Sequence, residues 1–105
     1  MEIIFQAHNA VISDQMRARS ERAVRKMGVR LRRTVDAVIR FEQDGPVRRV
    51  EVVLNAPGRR PLVAEGTAHT FGPALSSAVG RIERQLGRHK RSSRALRSGP
   101  VPVRA

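Results

Sequence analysis

The 105-residue sequence has no cysteine, no tryptophan and no tyrosine, and only three phenylalanines. Without cysteine the chain forms no disulfide, no thiolate metal site and no cysteine nucleophile. No apolar stretch approaches the roughly 20 residues that a membrane-spanning helix needs. The N-terminal residues 1–7 lack the basic and apolar regions of a signal peptide. We therefore expect a cytoplasmic protein with no membrane partner.

Patterns typical of enzymes and metal sites are also missing. The three histidines are far apart in the sequence and form no HxxxH or HxH pair. There is no paired-carboxylate motif, no G-x-S-x-G, no P-loop and no Rossmann glycine pattern. We expect no enzymatic activity, no metal, no cofactor and no small-molecule substrate. An enzyme or metabolite-binding domain remains an alternative, which would require a buried pocket lined by convergent polar groups.

Acidic residues are scarce: there are 9, against 21 lysines and arginines, for a net charge of +12. Residues 14–33 carry +6, residues 34–80 are neutral and residues 81–105 carry +7, with Glu2 supplying the remaining negative charge. A charge that served only solubility would have its signs interspersed. Since like charges repel one another, this segregation indicates a polyanionic partner, for which nucleic acid fits first and an anionic membrane surface second.

Alternation and helical spacing predict six elements. Residues 3–8 alternate as a strand, and Ser13-Asp14 begins a helix that reaches about residue 32. Two strands follow at about 35–42 and 49–54, and a weaker fourth strand at 62–68. Glycine turns at Asp44-Gly45-Pro46 and Pro57-Gly58 separate them. The second helix is predicted from Thr70 to about Arg91, with Thr70 as N-cap and Pro73 as its third residue.

The order β-α-β-β-β-α predicts an α+β fold with one four-stranded sheet and both helices packed on one of its faces. The β-α-β start should make the first two strands parallel. We expect one domain over residues 1–92 and a basic, flexible tail over residues 93–105.

The segregated charge lies on the predicted helices. On the second helix, four arginines at spacings of three and four lie opposite the apolar stripe. On the first helix, basic residues share a flank away from Met16 and Met27. A charged outer helix face is usually just solvated, but here like charges recur at i,i+3 and i,i+4, where they repel. The candidate RNA-binding residues are Arg22, Arg25 and Lys26 of the first helix and Arg81, Arg84, Arg88, His89, Lys90 and Arg91 of the second.

The few aromatic residues indicate how RNA would be bound. Single-stranded RNA binders stack bases on exposed rings, whereas Phe5, Phe41 and Phe71 all lie in apolar patterns. Arginine's planar fork suits phosphate oxygens. We therefore expect phosphate contacts and shape recognition of folded RNA, with a steep salt dependence.

The run Arg84-Gln85-Leu86-Gly87-Arg88-His89-Lys90 resembles the "R-Q-L-x-K-H-K" segment of the ribosome hibernation-promoting factor family, also called ribosome-associated inhibitors or sigma-factor modulation proteins. The opening strand and Ile12-Ser13-Asp14 with Met16-Arg17 resemble that family's "I-T-x-x-L-R" helix start. The resemblance covers residues 1 to about 92.

This resemblance implies a fold similar to double-stranded-RNA-binding domains and a protein that silences translation. It would bind the small ribosomal subunit and its rRNA in the messenger and transfer RNA channel, at the A and P sites, during stress. Away from the ribosome we expect a monomer. The family's basic second-helix positions map onto Arg81, Arg84, Arg88, Lys90 and Arg91, with His89 beside them, and the first-helix positions onto Arg22, Arg25 and Lys26.

The sequence also departs from the family pattern. At the second helix start, the family's "D-M-Y-x-A-I-D" appears as Thr70 to Ser76, with Thr70, Gly72 and Ser76 replacing its Asp, Tyr and Asp. We expect no dimerisation domain of the long family members in this chain. A generic structured-RNA-binding or RNA-chaperone module is the principal alternative, and a DNA-binding role lacks a readout element.

Overall fold

The computed structural model describes the backbone of residues 1–31 and 36–98, and side chains up to residue 87 within those ranges. Its elements follow the predicted order β-α-β-β-β-α. They are β1 (Glu2–His8), α1 (Asp14–Leu31), β2 (Asp36–Asp44), β3 (Val47–Asn55), β4 (Leu62–Ala68) and α2 (Phe71–Ser98). The α+β prediction is confirmed.

The four strands form one sheet in the order β1-β2-β3-β4. β1 pairs with β2 in parallel, as predicted, and the other two pairings are antiparallel. The register aligns Phe5, Ile39, Val52 and Ala64 in one row across the sheet. Because side chains alternate along a strand, this row and its neighbours at every second residue share one face.

Both helices cover that face. β2, β3 and β4 bury alternate residues, and α1 and α2 add buried residues to the same cluster. Val24 and Met27 come from α1, and Leu75, Ile82 and Leu86 from α2; each is at most 2% exposed. One shared core therefore holds both helices on one side of the sheet, as predicted, and none of the described elements covers the other side, here called the open face.

Gly66 allows α2 to lie close to β4. A Cβ at this position would clash with the backbone oxygen of Ala74 and lie 2.7 Å from the backbone nitrogen of Ala78. Only a residue without a side chain fits there. The turn glycines Gly45 and Gly58 have φ of 60° and 73°, the left-handed conformation that their predicted turns require.

The helix starts also agree with the sequence. The Met16 N–H donates to Ser13 Oγ at 3.1 Å, which makes Ser13 the N-cap of α1. α2 begins at Phe71, so Pro73 is its third residue and its missing N–H leaves no intrahelical bond unmade.

α2 continues past its predicted end at Arg91 to Ser98. The residues after Arg91 include Ala95 and Leu96, which favour helix, and the first helix-breaking pair is Gly99-Pro100. Hydrophobic spacing did not indicate this extension because the added turns lie beyond the apolar stripe. Residues 99–105 of the predicted tail lie outside the described residues, and its flexibility stays a prediction.

Candidate nucleic-acid interface

α1 presents cations on the side that faces away from the sheet. Its buried positions, among them Ser20, Val24 and Met27, fix the rotation of the helix. Arg22, Lys26 and Arg30 then lie one turn apart, all exposed. Four residues advance a helix by about 6 Å, so the three charges form a row along its outer side.

Buried residues also fix the rotation of α2. Within its R-Q-L segment, residues 84–86, two residues anchor the helix and one is exposed. Leu86 is in the core at 1% exposure. Gln85 Nε2 donates to the backbone oxygen of Val63 at 3.0 Å, which ties the helix to the edge strand β4. Arg84 is exposed, and its Nε donates to the Gly80 carbonyl at 3.2 Å. Arg84 alone of the three is therefore available to a partner.

A groove runs between the two helices on this outer side. It encloses about 350 Å³ and is lined by Arg22, Ala23, Lys26, Met27, Arg30, Val79 and Glu83. Three of these are cations of α1, three are apolar, and Glu83 is the only acid. Arg30 Nη1 lies 3.8 Å from Glu83 Oε2 and bridges the helices. The bridge is exposed, so it contributes little to stability.

The structure brings some of the predicted site residues together and separates others. Arg22 and Lys26 line the groove, and Arg81 and Arg84 are exposed on α2. Arg25 lies on the opposite flank of α1, where its Nε is 3.5 Å from Glu21 and its Nη1 donates to the Met1 carbonyl at 3.4 Å. For the other four predicted residues the helical backbone is described, and their side chains lie outside the described part. These are Arg88, His89, Lys90 and Arg91.

Arg30 and Glu83 belong to this site and were not among the residues predicted from the sequence. Arg30 follows Lys26 by four residues, a signal that was present in the sequence. Glu83 gave no signal, because its place beside Arg30 depends on how α1 packs against α2. Arg19, which the sequence places on the basic flank of the first helix but not among the predicted site residues, donates through its Nη2 to Ser76 Oγ at 3.2 Å and forms a second bridge between the helices.

The departures at the start of α2 have structural consequences here. Arg19 Nη1 lies 3.1 Å from where a Cβ on Gly72 would be, so a large side chain at 72 would require this arginine to move. Ser76, in place of the family's acid, accepts the Arg19 hydrogen bond. The two small residues thus accommodate one arginine between the helices.

The open face of the sheet is acidic, in contrast to the basic side formed by the helices. Strand alternation and register place six of the chain's nine acids on it against two arginines, Arg40 and Arg49. Arg49 Nη1 contacts Glu42 at 2.6 Å, and Arg40 Nη1 lies 3.8 Å from Glu51. The acids are Glu2, Asp36, Glu42, Asp44, Glu51 and Glu65. The neutral middle of the sequence therefore folds into an acidic sheet face, and a polyanion would be attracted to the helical side.

The phenylalanines are placed as expected. Phe41 is fully buried and meets Phe71 edge-on, with ring centroids 5.5 Å apart. Phe5 and Phe71 are half-buried, with Arg17 and Arg48 guanidinium carbons 4.6 Å and 6.0 Å from their respective ring centres. No phenylalanine offers an exposed stacking platform.

No group of three or more potential metal-binding side chains occurs among the residues described. None of the helices in this part of the chain has the length and apolar character to cross a membrane.

Comparison with known proteins identifies similar chains. Residues 3–94 match the model of the family described as Sigma 54 modulation protein / S30EA ribosomal protein. A ribosomal subunit interface protein from Coxiella burnetii superposes with a TM-score of 0.77 at 18% identity, over 86% of this chain and 98% of that one. The Protein Y N-terminal domain from Thermus thermophilus gives 0.73 at 23% identity, over 85% and 99%. No curated protein sequence matches significantly.

Proposed function

Because the chain belongs to the Sigma 54 modulation protein / S30EA ribosomal protein family, we propose that it silences translation by binding the small ribosomal subunit with its helical side against rRNA. Membership confirms the resemblance carried by residues 84–90. The chain is thereby a member of a ribosome-associated, hibernation-type family, and the family's description names no enzymatic reaction.

The opposite charge of the two sides of the molecule carries the proposal. Arg22, Lys26, Arg30, Arg81 and Arg84 are exposed on the helices, whereas the open sheet face has four more acids than bases. Phosphate contacts supply most of the non-specific affinity for nucleic acid. Only one orientation is favourable, with the helices toward the rRNA and the sheet face away from it.

The helical backbone of α2 extends this surface. It is continuous from Phe71 to Ser98, so positions 88 and 91 lie one and two turns beyond Arg84 on the same side of the helix. The candidate residues Arg88 and Arg91 would continue this basic surface along the rRNA, and the candidates His89 and Lys90 would stand on the flanks of the helix beside it. Arg25, tied to Glu21 and Met1, would contact RNA only at the margin.

The messenger and transfer RNA channel at the A and P sites is the proposed location. The similar structures include a protein named for the ribosomal subunit interface, where that channel lies. A compact basic domain seated there would exclude transfer RNA, and the protein would act in the cytoplasm. It would need no cofactor.

Co-sedimentation tests this function. We expect the chain to pellet with purified small subunits, to be released by salt and to compete with initiator transfer RNA. The double variant Arg84→Glu with Arg88→Glu should fail to pellet. Binding that is absent, insensitive to salt or unaffected by transfer RNA would refute the proposed function.

A generic structured-RNA-binding module is the second candidate. The absence of an exposed phenylalanine favours this alternative as much as it favours the ribosomal function, since duplex RNA is recognised by shape and phosphate contacts. Equal affinity for naked duplex RNA and for small subunits would support this alternative, whereas clearly tighter binding to subunits would exclude it.

A further inference from the structure

The groove between α1 and α2 has a feature that phosphate binding does not explain. Its lining combines apolar side chains, Ala23, Met27 and Val79, with cations. Met27 is 2% exposed, so it forms the bottom of the groove, while Ala23 and Val79 are half-buried walls. Phosphate oxygens gain nothing from an apolar surface. At about 350 Å³ the groove is within the range of small-molecule sites.

The carboxylate of Glu83 is a second feature of the groove that phosphate binding does not explain. Its side chain is 51% exposed and stands in the groove beside Arg30. A carboxylate repels phosphate, so a surface made only for the RNA backbone would be better without it. A carboxylate does accept hydrogen bonds from the amino groups of bases. Arg30 Nη1 lies 3.8 Å from this carboxylate across the groove.

We propose that this groove takes one unstacked, amino-bearing base of the bound RNA, with guanine the best fit. The inference rests on the proposed function, since it concerns the same RNA-binding surface. The base would lie against Met27 and Val79, and Glu83 would accept its N–H donors. Arg22 and Lys26 at the rim would hold the flanking phosphates. Unstacked bases in loops and bulges of folded RNA are recognised by hydrogen bonds to their Watson–Crick edges together with packing of the base plane against side chains, which include Arg guanidinium planes.

Methionine methyl NMR tests the groove directly. The chain has three methionines, Met1, Met16 and Met27, and only Met27 lines the groove. With methyl-¹³C methionine, GMP should shift the Met27 signal and leave the other two unchanged. Ribose 5-phosphate, which has the same sugar phosphate and no base, should not shift it. Equal shifts with both compounds, or none with either, would overturn the inference.

The direction in which Glu83→Gln changes the affinity for GMP provides a second test. If Glu83 accepts from a base, GMP should bind about fivefold or more weakly, the loss expected for one good base contact. If the groove binds only phosphate, removing the negative charge should leave GMP affinity unchanged or raise it, which would contradict the proposal. Glu21→Gln is the matched control, because Glu21 pairs with Arg25 on the other flank of α1.

A variant with a larger side chain in the groove distinguishes a failure of this inference from a failure of the proposed function. Ala23→Leu would occupy the groove, and Ala18→Leu makes the same change at an exposed position of α1 that does not line it. Small-subunit affinity should fall about fivefold or more for Ala23→Leu, the loss of one good base contact, and clearly less for Ala18→Leu, which is on the outer row of α1 but outside the groove. If wild-type protein binds subunits and both variants bind like it, the groove inference fails and the proposed function stands. If wild-type protein does not bind, the proposed function itself fails.

Discussion

Replacing Arg22 and Lys26 together with glutamine should weaken ribosome binding in a way that reports phosphate contacts. Both side chains are exposed and lie on the rim of the interhelical groove. Glutamine keeps a long polar side chain and a helix propensity close to theirs. Neither residue belongs to the buried core, so stability should change by less than about 0.5 kcal/mol.

The magnitude follows from counterion release. Each phosphate contact contributes about 0.9 to the slope of log affinity against log salt, which corresponds to about fivefold in affinity at 0.15 M salt. Losing Arg22 and Lys26 should therefore lower affinity for small subunits about 30-fold at that salt concentration. The slope itself should become shallower by about 2. Fluorescence anisotropy of labelled protein, measured at several salt concentrations, gives both quantities.

The control variant makes the same change in net charge on the opposite side. Gln6→Glu with Thr67→Glu lowers the net charge by two on the open sheet face, where Gln6 accepts from Arg40 and Thr67 is paired with Arg49. Its affinity should change less than about threefold and its salt slope should not change. If both double variants lose affinity equally, net charge rather than a helical interface governs binding, and the reasoning is refuted.

The remaining predictions concern the fold that supports this surface. Gly66→Ala should destabilise the protein by about 3 kcal/mol in thermal unfolding, because its Cβ would clash with the backbone of α2. Gly87→Ala should instead stabilise it by up to about 1 kcal/mol, because nothing lies within 4 Å of the added Cβ and alanine favours helix. A destabilising Gly87→Ala together with a neutral Gly66→Ala would contradict this packing. Ser13→Ala should cost about 1 kcal/mol through loss of the α1 N-cap, and an unchanged melting temperature would show that the cap contributes nothing. Gln85→Ala should lower the melting temperature but leave subunit affinity unchanged, because Gln85 contacts β4 and not the outer surface; a loss of affinity at full stability would contradict this.

Element order, strand pairing and the core could all be predicted from the sequence because each depends on a local pattern. Alternation along β2 and β3 places Ile39 and Val52 on the buried face, and turn glycines fix the hairpins. The parallel pairing of β1 with β2 followed from the β-α-β order at the start of the chain. Local chemistry also fixed the start of α1 at Ser13.

The candidate site could be predicted only in part, because its geometry depends on how the helices pack against each other. The charge segregation correctly predicted exposed cations at Arg22, Lys26 and Arg84. The sequence could not separate Arg25 from them, since that separation depends on the rotation of α1 toward β1. The groove and the position of Glu83 arise from two helices that are far apart in sequence, so no spacing rule indicates them.

The acidic sheet face was likewise hidden in the sequence. Residues 34–80 have equal numbers of acids and bases and therefore looked neutral. Only the register shows that the acids alternate onto the open face, while Arg48 points toward Phe71 on the helical side. The average charge of a segment thus concealed how its charges divide between the two sides of the sheet.

A cryo-EM map of the protein bound to the small ribosomal subunit tests the central claim most directly. We predict density in the messenger and transfer RNA channel, with α1 and α2 against rRNA and Arg22, Lys26 and Arg84 within reach of phosphates. The open sheet face, with Glu51 and Glu65, should be turned away from the RNA. Density at another site, or a sheet face packed against rRNA with the helices exposed, would contradict the claim.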